Sequence, residues 1–349
     1  MMETLKVEFS LRHIPWRSPL ITAYGGHDES GRPLVLVKIE DREGNCGYGE
    51  AAPLESYDGV GLVAVMEALG HYQRVIASLP ATDYATILRS CRAAMPLPQA
   101  LSAIDMALWD LEGRRNGVPV WKLLGARRPP VVSVNATLGA EPALIAAAEA
   151  TAAVAAGFET LKVKVGSGDD AARLTAVRRA VGFGIKLRAD ANGAWEVPEA
   201  VKRLWQFSRC QLEFCEEPVH GLDALREVSA LTDGIVIAAD ESAADPDFFE
   251  RRVCQAVCLK LARSGGISGL LNDFRRAGQL GYRVYLASTL DGPLGISAAL
   301  HAMAVIEPEL ASGLATLDRL AGPDVIPVRQ GCMTPPEGPG LGDGLLKWY

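Results

Sequence analysis

The chain is acidic, with 42 Asp and Glu against 35 Lys and Arg, and it has no long Lys/Arg run. Both facts argue against the basic footprint of a nucleic-acid binder. No apolar run reaches the ~18 residues of a membrane span. The opening residues MMETLKVEFS lack the basic and apolar regions of a secretory signal. The seven cysteines (Cys46, Cys91, Cys210, Cys215, Cys254, Cys258 and Cys332) are odd in number and lack paired zinc-type spacing. Reduced thiols in a cytoplasmic protein are therefore expected, with Cys254 and Cys258 read as small buried hydrophobes sooner than as a metal pair. The expected partner is a small molecule, with neither nucleic acid nor membrane.

What is present is a chain of 349 residues, 49 % hydrophobic and 22 % charged, with 35 Gly and 21 Pro. That balance suits a soluble globular protein large enough for an α/β barrel or two domains. Early residues alternate in polarity over Leu34 to Ile39 and turn at Arg42 to Asn45, which predicts strands. The segment from Ala100 to Asn116 then spaces Ile104, Ala107, Leu108 and Leu111 as a helix that Gly117 stops.

From Val131 the rhythm changes to short apolar or β-branched runs separated by helical patterns. The runs are Val131 to Thr137, Thr160 to Val165, Ile185 to Ala191, Leu212 to Cys215, Ile235 to Ala239, Ala256 to Leu261, Arg283 to Ala287 and Gly313 to Leu317. Strands recurring at roughly 20 to 30 residues with helices between them predict a (β/α)8-type TIM barrel over residues 121–319. Residues 1–120 then form an α+β capping domain, and the Gly- and Pro-rich segment 320–349 packs back on it.

A barrel of this kind does its chemistry at the C-terminal ends of its strands. In Leu161-Lys162-Val163-Lys164-Val165 the two-residue period turns both lysines to one face, expected to be the barrel interior, since lysine is rarely buried without purpose. The next three strands each finish in acid: Arg188-Ala189-Asp190, Cys215-Glu216-Glu217 and Ala239-Asp240-Glu241. One acid could simply cap a helix. Three on consecutive strands converge, and oxygen ligands of this kind suit a hard divalent cation. Asp190, Glu216 and Asp240 are the expected ligands, with Glu217 and Glu241 pointing elsewhere as outer partners. The sixth run adds Lys260, across the barrel from Lys164.

These motifs, LKVK, RADANGAW, CEEP, AADES and LKLARSGGI, together with GYGEAAP at Gly47 to Pro53 and AIDMALWDLEGRRNGVPVWKLLG at Ala103 to Gly125, resemble the muconate-lactonizing branch of the enolase superfamily. The resemblance implies a modified (β/α)7β barrel and Mg²⁺, with Mn²⁺ as a substitute. It also implies removal of a proton α to a carboxylate through a metal-stabilised enediolate. Lys164 would be the base and Lys162 its electrostatic partner, lowering the pKa of Lys164. Lys260 would be a second acid/base or a stabilising charge. Asn192, Glu241, Ser288, Thr289, Asp291 and Tyr24 are the further candidates for substrate contact or support, Tyr24 lying in a glycine-bearing Pro19 to His27 stretch that resembles the family's capping loop. For Ser288 and Asp291 the alternative is a cap for the helix beginning near Leu294.

His13, His27, His71, His220 and His301 include none at the end of the seventh strand, which counts against the mandelate-racemase branch. VVSVNATLGAEP, GEAAPLESYDG and ASTLDGPLGISAALHAMA look most similar to o-succinylbenzoate synthases, so dehydration of a cyclohexadienyl carboxylate is the leading expectation. Racemisation or epimerisation of an N-acylated amino acid or dipeptide is the alternative, and muconate-type cycloisomerisation comes third. The Asp-x-Asp of dipeptide epimerases is matched only by Leu317-Asp318-Arg319, a departure that counts against a dipeptide. A symmetric homo-oligomer is the default for such enzymes.

Overall fold

A computed structural model describes residues 5–17, 31–79 and 83–349. Strands β1 (Lys6–Ile14), β2 (Arg32–Glu40) and β3 (Cys46–Ala51) form an antiparallel sheet in chain order. The turn between β2 and β3 follows from its residues. Asp41 Oδ1 accepts the backbone N–H groups of Glu43 and Asn45, and Gly44 takes the left-handed φ of 85° that side chains disfavour. Four helices follow: α1 (Glu55–Asp58), α2 (Leu62–Ser78), α3 (Tyr84–Ala94) and α4 (Pro98–Arg115). Helix α4 lies directly on the backbone of β3, because a Cβ at Gly47 or Gly49 would come within 2.1 Å of the carbonyl oxygens of Ala107 or Ala103. Val35, Val37 and Ile39 of the sheet and Ile104, Leu108 and Leu111 of α4 share one apolar core.

After the short α5 (Val120–Leu123) the chain enters the barrel. Strands β4 (Val132–Ser133), β5 (Ala136–Leu138), β6 (Thr160–Lys164), β7 (Lys186–Asp190), β8 (Phe214–Glu216), β9 (Ile237–Ala239), β10 (Ala256–Leu259) and β11 (Arg283–Leu286) alternate with helices. These are α6 (Ala143–Ala155), α7 (Asp170–Val181), α8 (Val197–Phe207), α9 (Leu222–Leu231), α10 (Leu261–Ser264), α11 (Ile267–Gln279) and α12 (Pro293–Ile306). From β5 to β11 the strands form one parallel sheet in chain order. Leu161, Val163, Leu187 and Ala189 face outward into the core shared with the helices.

Two expected strands take other forms. The run Val131 to Thr137 is split: β4 pairs antiparallel with β12 (Cys332–Met333), and only β5 joins the barrel sheet. The run Gly313 to Leu317 makes single parallel bridges, Ser312 to Val134 and Gly313 to Ala287, before Thr316 N–H turns back to Leu314 O. Those bridges close the ring between β11 and the first strand. The C-terminal segment divides its contacts. Leu320 and Trp348 pack with Ile14 and Leu34 of the N-terminal sheet, whereas β12 lies under the barrel. Among the described residues no helix is long and apolar enough to cross a membrane, and the seven cysteines are free.

Candidate active site

The two-residue strand period sets the site. Lys164, Asp190 and Glu216 pair in register across β6, β7 and β8, so their side chains enter the barrel at one level. Lys162 sits one pleat lower on the same inward face, and Asp240 and Lys260 follow the ends of β9 and β10. All six are buried.

Two clusters result. Lys164 Nζ lies 2.7 Å from Asp190 Oδ2 and donates at 2.7 Å to Asn192 Oδ1. Lys162 Nζ lies between two strand ends, 2.9 Å from Asp190 Oδ2 and 3.0 Å from Glu216 Oε1. Across the barrel, Lys260 Nζ is 2.9 Å from Asp240 Oδ2. Burial opposes the charge of Lys162, but Asp190, Glu216 and Asp240 outweigh it and hold its pKa well above the ordinary lysine value. Burial would likewise raise Asp190, yet Lys162 and Lys164 bring it down to about 2. Asp240 is lowered too, its burial overcome by Lys260 and Arg263. Glu216 goes the other way, raised by burial and by Asp190.

Glu216 Oε2 is buried without a hydrogen-bond partner, a costly arrangement for a carboxylate oxygen. Glu216, Asp240 and Cys258 bring one donor atom each within 4.8 Å of one another. The thiol of Cys258 is pushed far above its ordinary pKa by burial and Asp240, which leaves it a poor partner for a hard ion. Three buried carboxylates, one with an oxygen that nothing else satisfies, fit a divalent cation with oxygen preference. Cys258 is two residues before Lys260 and so shares its face, a placement the strand period makes readable.

Around this centre, Asn192 bridges Lys164 and Glu241, its Nδ2 donating to Glu241 Oε1 at 2.8 Å from a backbone held at φ 46°. Burial, Asp240 and Asp190 push Glu241 up to about 7. Glu217, at φ 40°, turns away from the centre and accepts the N–H groups of Asp240 and Ser242, fixing the loop that carries Asp240. Ser288 and Thr289 line the cavity at the mouth, which has a volume of about 270 Å³ and also meets Thr137, Asp318 and Arg319. Asp291 does not line it. Its carboxylate accepts Thr289 N–H at 3.2 Å and Thr289 Oγ1–H at 2.9 Å. Neither Ser288 nor Asp291 caps α12, whose N-cap is Gly292 with its N–H on Glu50 Oε1 at 2.6 Å. Tyr24 and the stretch from Pro19 to His27 lie outside the described residues. A larger cavity of about 780 Å³ opens at the opposite end of the barrel, beside Ser133, Thr160 and Lys186, and holds none of these side chains.

Sequence reasoning missed Tyr57 and Arg263. Tyr57 comes from α1 of the capping domain and donates to Asp240 Oδ1 at 2.7 Å. Arg263 Nη1 reaches Tyr57 Oη at 3.1 Å and Asp240 O at 2.6 Å. Nothing in the strand period marks a residue 183 positions away from its partner, although Arg263 stands in the LKLARSGGI motif.

Lysines and convergent carboxylates at the C-terminal mouth of a barrel, under an α+β cap, define a metal-assisted acid/base enzyme. Residues 145–345 match the family model described as enolase C-terminal domain-like, and residues 6–125 match the mandelate racemase/muconate lactonizing enzyme N-terminal domain. The chain belongs to this branch of the enolase superfamily. A hydrophobic dipeptide epimerase of Enterococcus faecalis is 33 % identical over 307 residues, 85 % of either chain. An L-Ala-D/L-Glu epimerase of Clostridium acetobutylicum is 31 % identical over 82 % of this chain and 83 % of its own. The crystal structure of a dipeptide epimerase from Enterococcus faecalis, complexed with Mg and the dipeptide L-Leu-L-Tyr, superposes with a TM-score of 0.89 at 29 % identity, covering 98 % of this chain and 99 % of that one. These relatives are epimerases. They favour the alternative drawn from the sequence over the succinylbenzoate dehydratase that led it.

Proposed function

We propose that the protein is a Mg²⁺-dependent epimerase or racemase that inverts the carbon next to the carboxylate of a dipeptide or N-acylated amino acid. The observation that carries this reading is the pair of buried lysines on strands four apart in the ring, Lys164 against Asp190 and Lys260 against Asp240. Asp190, Glu216 and Asp240 would hold the cation, whose positive charge offsets the negative charge that develops when the α-proton leaves.

The lysines do the proton work. The neutral amine of one accepts the α-proton from its face of the substrate, and the ammonium of the other delivers a proton to the opposite face. The two then stand in exchanged protonation states, ready for the reverse reaction or for resetting from solvent. Lys162, held charged by three carboxylates, stays an ammonium and serves as electrostatic support. Asn192 fixes Lys164 Nζ, and Glu241 fixes Asn192. Ser288 and Thr289, with Asp318 and Arg319 at the cavity, face the distal part of the substrate.

Proton NMR in D₂O with Mg²⁺ tests the reading on a panel of dipeptides, N-succinyl amino acids and the cyclohexadienyl precursor of succinylbenzoate. Exchange of the α-proton with inversion, and without elimination, is expected for a member of the first two classes. Rapid formation of the aromatic succinylbenzoate would overturn it.

A further inference from the structure

Tyr57 takes no part in these proton transfers, yet it reaches the centre from the capping domain and touches both members of one ion pair. Its hydroxyl donates to Asp240 Oδ1 at 2.7 Å, and its ring centroid lies 3.9 Å from Lys260 Nζ. Lys260 Nζ is itself 2.9 Å from the other oxygen of Asp240. One side chain therefore closes a ring through the carboxylate and the ammonium. Arg263 sets the hydroxyl's direction: its Nη1 donates to Tyr57 Oη at 3.1 Å and to Asp240 O at 2.6 Å, and its Nη2 donates to Cys258 O at 2.6 Å. Lys164 is held differently. Its contacts among the described residues are Asp190 and Asn192, both from the barrel, with no aromatic face over it.

We infer that Tyr57 is a positioning residue for Lys260 and Asp240, so that the two faces of the substrate's α-carbon depend on different parts of the molecule. Among the described residues, those that hold the Lys164 side chain come from the barrel, whereas the Lys260 face requires Tyr57 of the capping domain to be docked. The inference rests on the two-lysine epimerase reading. An aromatic face within ~6 Å attracts an ammonium and confines it. A misplacement of about 1 Å at a reacting centre can cost on the order of 10²-fold in rate.

Two variants separate the hydroxyl from the ring. Tyr57→Phe keeps the ring over Lys260 and removes the donor to Asp240, so calorimetric titration with Mg²⁺ should show affinity weakened by about tenfold or more. Unchanged affinity overturns the Asp240 half of the proposal. Tyr57→Leu removes both contacts and is examined by α-proton exchange in D₂O, starting separately from L-Leu-L-Tyr and L-Leu-D-Tyr. Exchange from one epimer should fall about 10²-fold further than from the other, and the affected epimer should be the one that Lys260→Ala silences. Equal losses from both epimers, or loss from the epimer that Lys164→Ala silences, overturn the Lys260 half. Where Leu-Tyr does not exchange in the wild type, the same comparison is made with the two epimers of the panel member that does. Absence of exchange across the whole panel would instead strike the epimerase reading, and the Mg²⁺ titration would then decide the role of Tyr57 on its own.

Discussion

Arg188 and Asp190 are two residues apart on one strand, point the same way into the barrel and are both buried. Their surroundings differ. Arg188, on the floor, donates to Glu213 Oε2 at 2.6 Å and to Ala311 O at 2.7 Å, and its guanidinium lies 4.5 Å from the ring centroid of Phe214. One opposite charge, one backbone carbonyl, the Asn135 side chain and aromatic faces surround it, although its Nη2 goes without a hydrogen bond. Asp190, at the mouth, belongs to a group of three carboxylates and three lysines in which Glu216 keeps an unsatisfied oxygen. The floor uses buried charge to fix the fold. The mouth concentrates charge beyond what folding needs, which is how a catalytic centre stores the capacity to bind an ion and move a proton.

If that contrast is right, substitutions at the two levels should fail in different ways. The largest effect belongs to Lys164→Ala, which should lower α-proton exchange from one substrate face by about 10³-fold while leaving the thermal midpoint near that of the wild type. A large fall in the midpoint would mean that Lys164 is scaffold. Arg188→Met should do the reverse, costing about 3 kcal/mol by leaving Glu213 only the exposed Lys186, at 3.4 Å, as a partner, as read from denaturant unfolding. A loss under 1 kcal/mol would remove the distinction between the levels.

Glu50 offers an intermediate case at the seam between cap and barrel. It accepts from Gly292 N–H and from the hydroxyl of Tyr349, and burial together with Asp291 raises it to about 7 from an ordinary 4.5. Because the folded state holds this proton more tightly, the associated stability is full below pH 4.5 and is lost as pH rises to about 7. Glu50→Gln mimics the protonated form. Its stability should match the wild type near pH 4.5 and exceed it by roughly 3 kcal/mol above pH 7. A pH-independent gap would show that the seam does not hold the proton.

The smallest effect sharpens the contrast most. Glu216→Gln removes one of the crowded negative charges, and in EDTA it should raise stability by about 1 kcal/mol while abolishing tight Mg²⁺ binding. Destabilisation in EDTA would place Glu216 with the structural charges of the floor.

The mouth was legible in the sequence because strand geometry is local: a period of two puts Lys162 with Lys164 and Arg188 with Asp190 without any knowledge of the rest of the chain. The eight-fold rhythm was legible for the same reason. What escaped depends on loop geometry that no strand period sets, or on contacts between the two domains. The run from Gly313 looked like a strand, but Thr316 turns it back after two bridges. Asp291 read equally as a cap or as a contact or support for substrate, and only the folded loop puts its carboxylate on Thr289, two residues earlier. Tyr57 carried no signal, since its partners arise only when the cap meets the barrel.

The last stave of the ring is thin. Ser312 and Gly313 join it to both neighbours through four backbone hydrogen bonds, from Ser312 N–H to Ser133 O, Asn135 N–H to Ser312 O, Gly313 N–H to Leu286 O and Ser288 N–H to Gly313 O. The other staves are held by longer ladders, so breathing of the cylinder should begin at this join, whose amides would be the first in the ring to exchange with solvent. Past the turn at Thr316 the same segment supplies Asp318 and Arg319 to the rim. A wall that can give way there would change the girth of the rim while the opposite wall, with its carboxylates and lysines, keeps its shape.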